Sequence, residues 1–435
     1  MPERFRVPPF EKLVKLYRVL APIIVLLVIV LASAKLIRNP VAKPDLEVYL
    51  HAASLILAGN NPYLTPIPAG TFFYLYPPLF AVLFIPFTFL PINVAVVAWC
   101  VLNVFLVGWV TKAFYERMAE VRFLDIPEKT RWMICCFALL PTGRFIFSHL
   151  SYGQANIAVL ALVVLGLVCL QKHQKFGGSV AIGISIAIKV ISLPFAVWFA
   201  ARRNLWVTLG IASGVLAGLL LPALLLGFEK NLEFLDYWFH KVVLYGDLRN
   251  TKWPLHHNLS LQAQLYRFFS DSVAFEYNGR PYYLTLFALP AATLHLIERL
   301  IVAAVAGMVV LYAVLYRNRG ALISDWGGMA LTFSMVPLFA TVMQKHYLVL
   351  LLPAYIYVVH LWYSMQLKDK AFRGLVAASM AVLTFTSAAF CGEFLSRVFA
   401  AVGCHALGVL LLSAAIFRAA ACLPAPNSSR LPQKL

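Results

Sequence analysis

Apolar runs of membrane-crossing length recur from one end of this chain to the other, and short clusters of Lys and Arg separate them. A hydrocarbon core about 30 Å thick needs roughly 20 mainly apolar residues per helix. Hydrophobic residues make up 62% of the 435 and charged residues 12%, which leaves too little polar surface for a water-soluble globule. In lipid every backbone N–H and C=O must be satisfied internally, so the expected fold is an all-α integral membrane protein. No long polar stretch marks off a second module. Residues 1–423 read as a single polytopic domain, and 424–435 as a disordered cytoplasmic tail.

The formal charge of +18 sits in the gaps between apolar runs, the pattern of cytoplasmic loops rather than of a nucleic-acid surface. Arg4, Arg6, Lys12, Lys15 and Arg18 precede the run 19–34, so the N-terminus is expected inside and residue 45 outside. A cleaved signal peptide ending near Ala32-Ser33-Ala34 is the rival reading and leaves residue 45 on the same side. The next basic cluster, Lys112 to Arg131, requires an odd number of crossings after residue 45. With Pro77, Pro78 and Pro86, the run 74–90 suits an interfacial or re-entrant helix, and 92–112 the second span. Spans are then expected at 132–148 and 154–171.

The run 178–200 has basic residues on both flanks and Lys189-Val190-Ile191-Ser192-Leu193-Pro194 at its centre. Two half-helices that enter and leave from one side satisfy the charge rule, with Lys189 at the tip. Further spans follow at 205–227, 291–316, 321–343, 347–363, 374–395 and 398–418, giving about 12 membrane segments with both termini inside. Outer segments 38–91 and 228–290 are expected to form the site. On this map Asp45, Asn61-Pro62-Tyr63, Gly153-Gln154-Ala155-Asn156, His256-His257-Asn258 and Gln344-Lys345-His346 all share one face.

Pro44 and Asp45 suit the first turn of a helix, with Asp45 and Tyr49 on one face and Glu47 on another. A carboxylate there favours the helix dipole. It can equally serve as a general base, and only 18 acidic residues occur in the chain. Gln154 and Asn156 at a helix start can cap it or bond a sugar hydroxyl. A lysine inside a membrane is costly unless paired, which points Lys189 toward a phosphate or a carboxylate. Lys345 and His346 suit an anion or simple snorkelling, as do Arg144 and His149. Tyr49, Tyr63, Phe72, Phe73, Tyr74 and Tyr76 suit sugar stacking or an interfacial belt. Adjacent His256 and His257 lack a third ligand at useful spacing, so no metal is expected. The seven cysteines, Cys100, Cys135, Cys136, Cys169, Cys391, Cys404 and Cys422, read as small hydrophobes.

Taken in order, the acidic residue after the first span, Gly59 to Tyr63, Tyr76-Pro77-Pro78, Gly153 to Asn156, Ala187-Ile188-Lys189 and Lys345-His346 resemble glycosyltransferase family 87 over roughly 40–360. Where that family carries Asn-Gln-Ser in the second outer segment, this chain has Asn258-Leu259-Ser260, with Gln262 and Gln264 nearby. The resemblance implies a GT-C fold and transfer of a hexose, mannose by analogy, from a polyprenyl-phosphate sugar to an acceptor hydroxyl. Transfer would take place on the extracytoplasmic face of the cytoplasmic membrane, with inversion. It implies Asp45 as base, Lys189, Lys345 and His346 at the donor phosphate, and Tyr49, Asn61, Tyr63, Gln154, Asn156, His257 and Asn258 at sugar or acceptor. No cofactor beyond the lipid-linked donor is expected; the partners are that donor, a lipid- or glycan-linked acceptor and membrane lipids, around a monomer. The rival from another class is a polytopic transporter or glycolipid flippase, which internal repeats and midplane binding residues would favour. Neither feature is evident in the sequence.

Overall fold

The computed structural model describes residues 10–38, 45–66, 72–120, 128–244 and 254–423, with side chains from residues 23 and 130 in the first and fourth of these stretches. Pro44, Arg4, Arg6, Arg122 and the tail 424–435 lie outside this description, as do the side chains of Lys12, Lys15 and Arg18. The chain begins with α1 (Phe10–Arg38), α2 (Asp45–Leu57), α3 (Pro78–Thr88), α4 (Ile92–Glu120), α5 (Glu128–Tyr152) and α6 (Asn156–Gln171). Next come α7 (Lys175–Ile188), a 3-10 turn at Val190–Ser192, α8 (Leu193–Ala201), α9 (Leu205–Leu220), α10 (Ala223–Leu226), α11 (Phe228–Trp238) and α12 (Leu261–Phe269). A two-stranded hairpin, β1 (Val273–Tyr277) and β2 (Arg280–Tyr283), precedes α13 (Ala291–Leu315). The last elements are α14 (Gly328–Phe339), α15 (Leu352–Tyr363), α16 (Lys370–Phe385), α17 (Ala388–Ala401) and α18 (Cys404–Cys422), with a π-turn leading into α14 and a 3-10 turn into α15.

Among the described residues, seven helices are long and apolar enough to cross a membrane, or eight when the bent pair α16–α17 counts as one. This is an all-α multi-pass membrane protein. The expected total of about 12 segments is reached only by adding α1 and the short helices α6, α7 and α8. Residues 322–339 and 345–363 lie almost wholly inside the protein, whereas α13 lines its periphery. The run 74–90 forms only the 11 residues of α3, which starts at Pro78, because Pro77 and Pro78 suit an N-terminus and Pro86 weakens the helix beyond it.

The break at Lys189 has a clear geometric consequence. Gly210 sits opposite Ser179, Gly214 opposite Gly183, and Gly218 opposite Ala187, so α7 and α9 run parallel in matched register. A Cβ on Gly183 would collide with the carbonyl oxygen of Ile211. This is the small-residue seam by which membrane helices pack in the absence of a hydrophobic driving force between them. For α9 to start beside the start of α7, α8 must carry the chain back to the end where it entered. The 14 residues of α7 climb about 21 Å, and Lys189 marks the summit.

The expected straight span at 374–395 is corrected. Helix α16 ends at Phe385, and α17 leaves it at 90°. Gly392, at φ +79°, interrupts α17 again, so an apolar run that reads as continuous is folded flat. It lies against the β-hairpin: Phe394 meets Phe275 at 5.8 Å and Tyr282 at 5.6 Å between ring centroids. The hairpin turns on Asn278-Gly279, both at positive φ, the pairing that a type I′ turn requires.

Candidate active site

The turn between α5 and α6 holds the first part of the site. Gly153 adopts φ +64°, and a Cβ there would come within 2.6 Å of Leu46 Cβ. Only glycine therefore lets this turn press on α2. The indole N–H of Trp99 donates to Gly153 O at 3.0 Å and holds the turn down. Gln154, brought beside the first residue of α2, donates its amide N–H to Asp45 Oδ2. Its Oε1 is buried with no partner among the described residues.

Asn156 completes the turn without capping α6. That task falls to His149, whose Nε2 accepts from the Ile157 N–H at 3.1 Å, which requires the nitrogen to be unprotonated. Asn156 Oδ1 instead accepts from Lys189 Nζ at 2.6 Å, and its Nδ2 donates to the carbonyl of His346 at 3.2 Å. The hairpin tip, the α5–α6 turn and the turn before α15 thus meet at one amide. Lys189 also donates to the Tyr76 hydroxyl at 3.2 Å and lies over the rings of Tyr347, at 4.4 Å, and Tyr76, at 5.1 Å. Hydrogen bonds and two π-faces offset the cost of the buried ammonium.

Asp45 is half-buried at this junction. Burial pushes its carboxyl up to about 6, against the pull of the Lys189 charge and the Gln154 amide. Tyr49, one helical turn on, shares a hydrogen bond of 2.8 Å with the Tyr76 hydroxyl. Burial, with Asp45 among the nearby charges, holds both phenols well above their ordinary value, so both stay neutral. Tyr49 packs edge-on against Phe80 and Phe84, contacts worth about 0.5–1.5 kcal/mol each beyond area burial.

The other predicted residues stand further back. Asn61 Oδ1 accepts from the Tyr63 N–H at 2.9 Å, and the Tyr63 hydroxyl donates to Tyr76 O at 2.8 Å. These two residues shape the loop that presents Tyr76. Tyr63 is fully buried and stacks on Tyr237 of α11, while Trp238 donates to Leu75 O, so α11 joins the loop between α2 and α3. Asn258 is fully buried: its Oδ1 accepts from Met343 N at 3.0 Å and Ser260 N at 3.1 Å, and its Nδ2 donates to Thr341 O at 3.3 Å. It clips the loop before α12 to the stretch of chain that leads to His346.

His346 is buried, with its ring near Tyr152 and Tyr347. Lys345 is exposed and interacts with the cations Arg144, Arg397 and Lys35, a group distinct from that around Lys189. His257 is lowered by partial desolvation and by Lys345 and Arg397. Burial pushes His256 down to about 3, helped by His257, Arg397, Lys345 and Arg267. No group of three His, Cys, Asp or Glu able to hold a metal occurs among the described residues.

The motifs that the sequence places on one face therefore do gather at one end of the bundle. That arrangement runs through the stretch that identifies the chain, because the profile of glycosyltransferase family 87 matches residues 74–317. The chain belongs to glycosyltransferase family 87. The matched stretch carries Tyr76, Gln154, Asn156, Lys189 and Asn258, while Asp45 and His346 flank it. The chain is similar to a Mycobacterium tuberculosis (strain ATCC 25618 / H37Rv) protein named polyprenol-phosphate-mannose-dependent alpha-(1-2)-phosphatidylinositol mannoside mannosyltransferase. Identity is 27% over 209 residues, 45% of this chain and 47% of that protein. A protein of the same name from Mycolicibacterium smegmatis (strain ATCC 700084 / mc(2)155) is 24% identical over 177 residues, 39% of each chain. The chain thus spans less than half the length of these curated relatives.

Two features of this family member escape sequence reasoning, and a third, Gln262, is named there only as a neighbour of Asn258-Leu259-Ser260. Tyr347 as a lid over Lys189 follows from a 3-10 turn that periodicity does not reveal. Arg267, fully buried, donates to the carbonyls of Pro254, Leu255, Asn258 and Ala401 and so pins the loop before α12. Gln262, in the region where the family carries its glutamine, keeps both amide atoms buried without a partner among the described residues.

Proposed function

We propose that this protein transfers a hexose, mannose in the first instance, from a polyprenyl-phosphate sugar to an acceptor hydroxyl on the extracytoplasmic face of the cytoplasmic membrane, inverting the anomeric centre. The observation that carries the reading is the meeting of Asp45, Gln154, Asn156 and Lys189 at one junction. A carboxyl held near 6 is ionised at neutral pH and basic enough to accept a proton from a hydroxyl as that oxygen attacks. Asp45 takes the acceptor proton, the oxygen bonds to the anomeric carbon, and the bond to the phosphate oxygen breaks. Lys189 stabilises the departing phosphate charge, with Tyr76 and Asn156 holding the ammonium in place. Gln154 Oε1 accepts from a sugar hydroxyl. The names of the mycobacterial relatives support the choice of donor and suggest a phosphatidylinositol mannoside as the first acceptor to try.

The test is incorporation of label by the purified full chain in lipid nanodiscs, given radiolabelled polyprenyl-phosphate mannose and membrane lipid extract. Labelled acceptor in which the glycosidic bond is inverted relative to the donor is the expected product. Labelling from another polyprenyl sugar and none from mannose would remove mannose. Movement of unmodified donor across a sealed bilayer, without transfer, would replace the enzyme by a flippase.

A further inference from the structure

At the end of the bundle opposite Asp45, the turn between α8 and α9 and the turn after α13 enclose a cleft of about 230 Å³. Arg202, Arg203 and Arg317 line it together with Trp198, Asn204 and Asp325. Arg202 is held in place: its Nη2 donates to Asp325 Oδ1 at 2.6 Å and its Nη1 to Arg317 O at 3.2 Å, with both side chains of the ion pair nearly sealed from solvent. Arg203 and Arg317 are exposed and have no ion pair among the described residues. Three arginines thus line the cleft beside one carboxylate that is already engaged, and the lining carries a positive excess.

The cleft lies where a lipid headgroup lies. Arg203 lies two residues before the apolar helix Leu205–Leu226, and Arg317 two residues after the end of Ala291–Leu315. Phe176, Leu205 and Trp206, beside the cleft on α7 and α9, are 72%, 64% and 78% exposed. Bulky apolar groups standing free next to arginines at a span end fit an acyl-chain boundary with a tryptophan at headgroup level. Basic recesses between membrane helices recognise anionic headgroups, and bidentate guanidinium geometry suits phosphate oxygens. The volume falls below the roughly 300–1,000 Å³ of pockets that enclose a whole drug-sized ligand, so it takes the phosphate and its ester link only.

We infer that this cleft is a binding site for the phosphodiester headgroup of an anionic phospholipid in the leaflet opposite the candidate active site. The site is independent of the transferase reading. Native mass spectrometry of the full chain in neutral detergent, titrated with dioleoyl phosphatidylglycerol, dioleoyl phosphatidylcholine or inorganic phosphate, tests it. One tightly held phosphatidylglycerol is expected. R203Q/R317Q should weaken it roughly thirtyfold, at about fivefold per cation near an anionic surface. K172Q/K175Q, which removes charge from the same end but outside the cleft, should change it less than threefold. Should the double variant fail to fold, R317Q alone is expected to give about fivefold. Equal weakening by K172Q/K175Q would reduce the site to general surface charge and overturn it. Equal retention of phosphatidylcholine would also overturn it, as would displacement of the lipid by millimolar inorganic phosphate, which would make the ligand a free anion.

Discussion

The segments 38–91 and 228–290 are both rich in polar side chains and use them differently. In the second, Asn258, Ser260 and Arg267 bond backbone groups, and such bonds fix shape. Around Asp45 and Tyr76 of the first, the contacts that matter join side chain to side chain: Gln154 donates to Asp45, and Lys189, which also donates to Asn156, donates to Tyr76. One acceptor, Gln154 Oε1, is left over. Bonds to the backbone hold shape, even though the Gln262 amide and Arg267 Nη2 are unpartnered among the described residues, whereas a network built through an acid and an ammonium can exchange partners when substrate enters. Proximity to the junction, rather than polarity alone, separates the chemical residues from the architectural ones.

That contrast breaks most readily at Asp45. Asp45→Asn should lower turnover by about 10²–10⁴, the usual contribution of a positioned base, while the variant still binds donor lipid; turnover within tenfold of wild type would remove the base. Next in size, Lys189→Met should cost about 10²–10³ in kcat, as for loss of one group that stabilises developing charge. Loss confined to KM would make Lys189 a binding residue only.

The acid limb of the pH profile sharpens the comparison. The base form of Asp45 is the ionised one and its carboxyl is raised to about 6, so kcat/KM should be level above that pH and fall toward tenfold per unit below it. Lys189 lowers the value, so in Lys189→Met, if residual turnover is measurable, the limb should move to higher pH. A limb that stays put would uncouple the two groups. The smallest effect on chemistry is expected at Asn258. Asn258→Ala strands Met343 N and Ser260 N, while Thr341 O keeps the Ser260 hydroxyl, and should reduce unfolding stability by about 1–3 kcal/mol. Turnover per folded molecule should change by less than tenfold; a larger fall would move Asn258 into the active machinery.

Much of this was legible in the sequence because charge and apolarity act locally. Basic residues on both flanks of 178–200 imply a return to the same side, and the parallel packing of α7 and α9 requires it. The proline-bounded α3 and the shared end of the motifs follow in the same way. The bend at Phe385 was not legible, since a helix lying flat under a hairpin and a helix crossing lipid are equally apolar. The β-hairpin was legible in Asn278-Gly279, but that signal lay inside a segment read as an undivided loop. Lys345 and His346 are neighbours in sequence whose side chains enter different surroundings, one exposed and one buried. A pair of letters cannot carry that distinction.

The glycine seam between α7 and α9 has a mechanical implication. With backbones touching at Gly183 and Gly214, neither helix can slide along the other without losing its matching notches. The height of the ammonium above the floor of the bundle is therefore set by a rack of fixed teeth and not by the thickness of the surrounding lipid. In a thinner or thicker bilayer the whole body should tilt or drag lipid with it, while the distance from Lys189 to Asp45 holds.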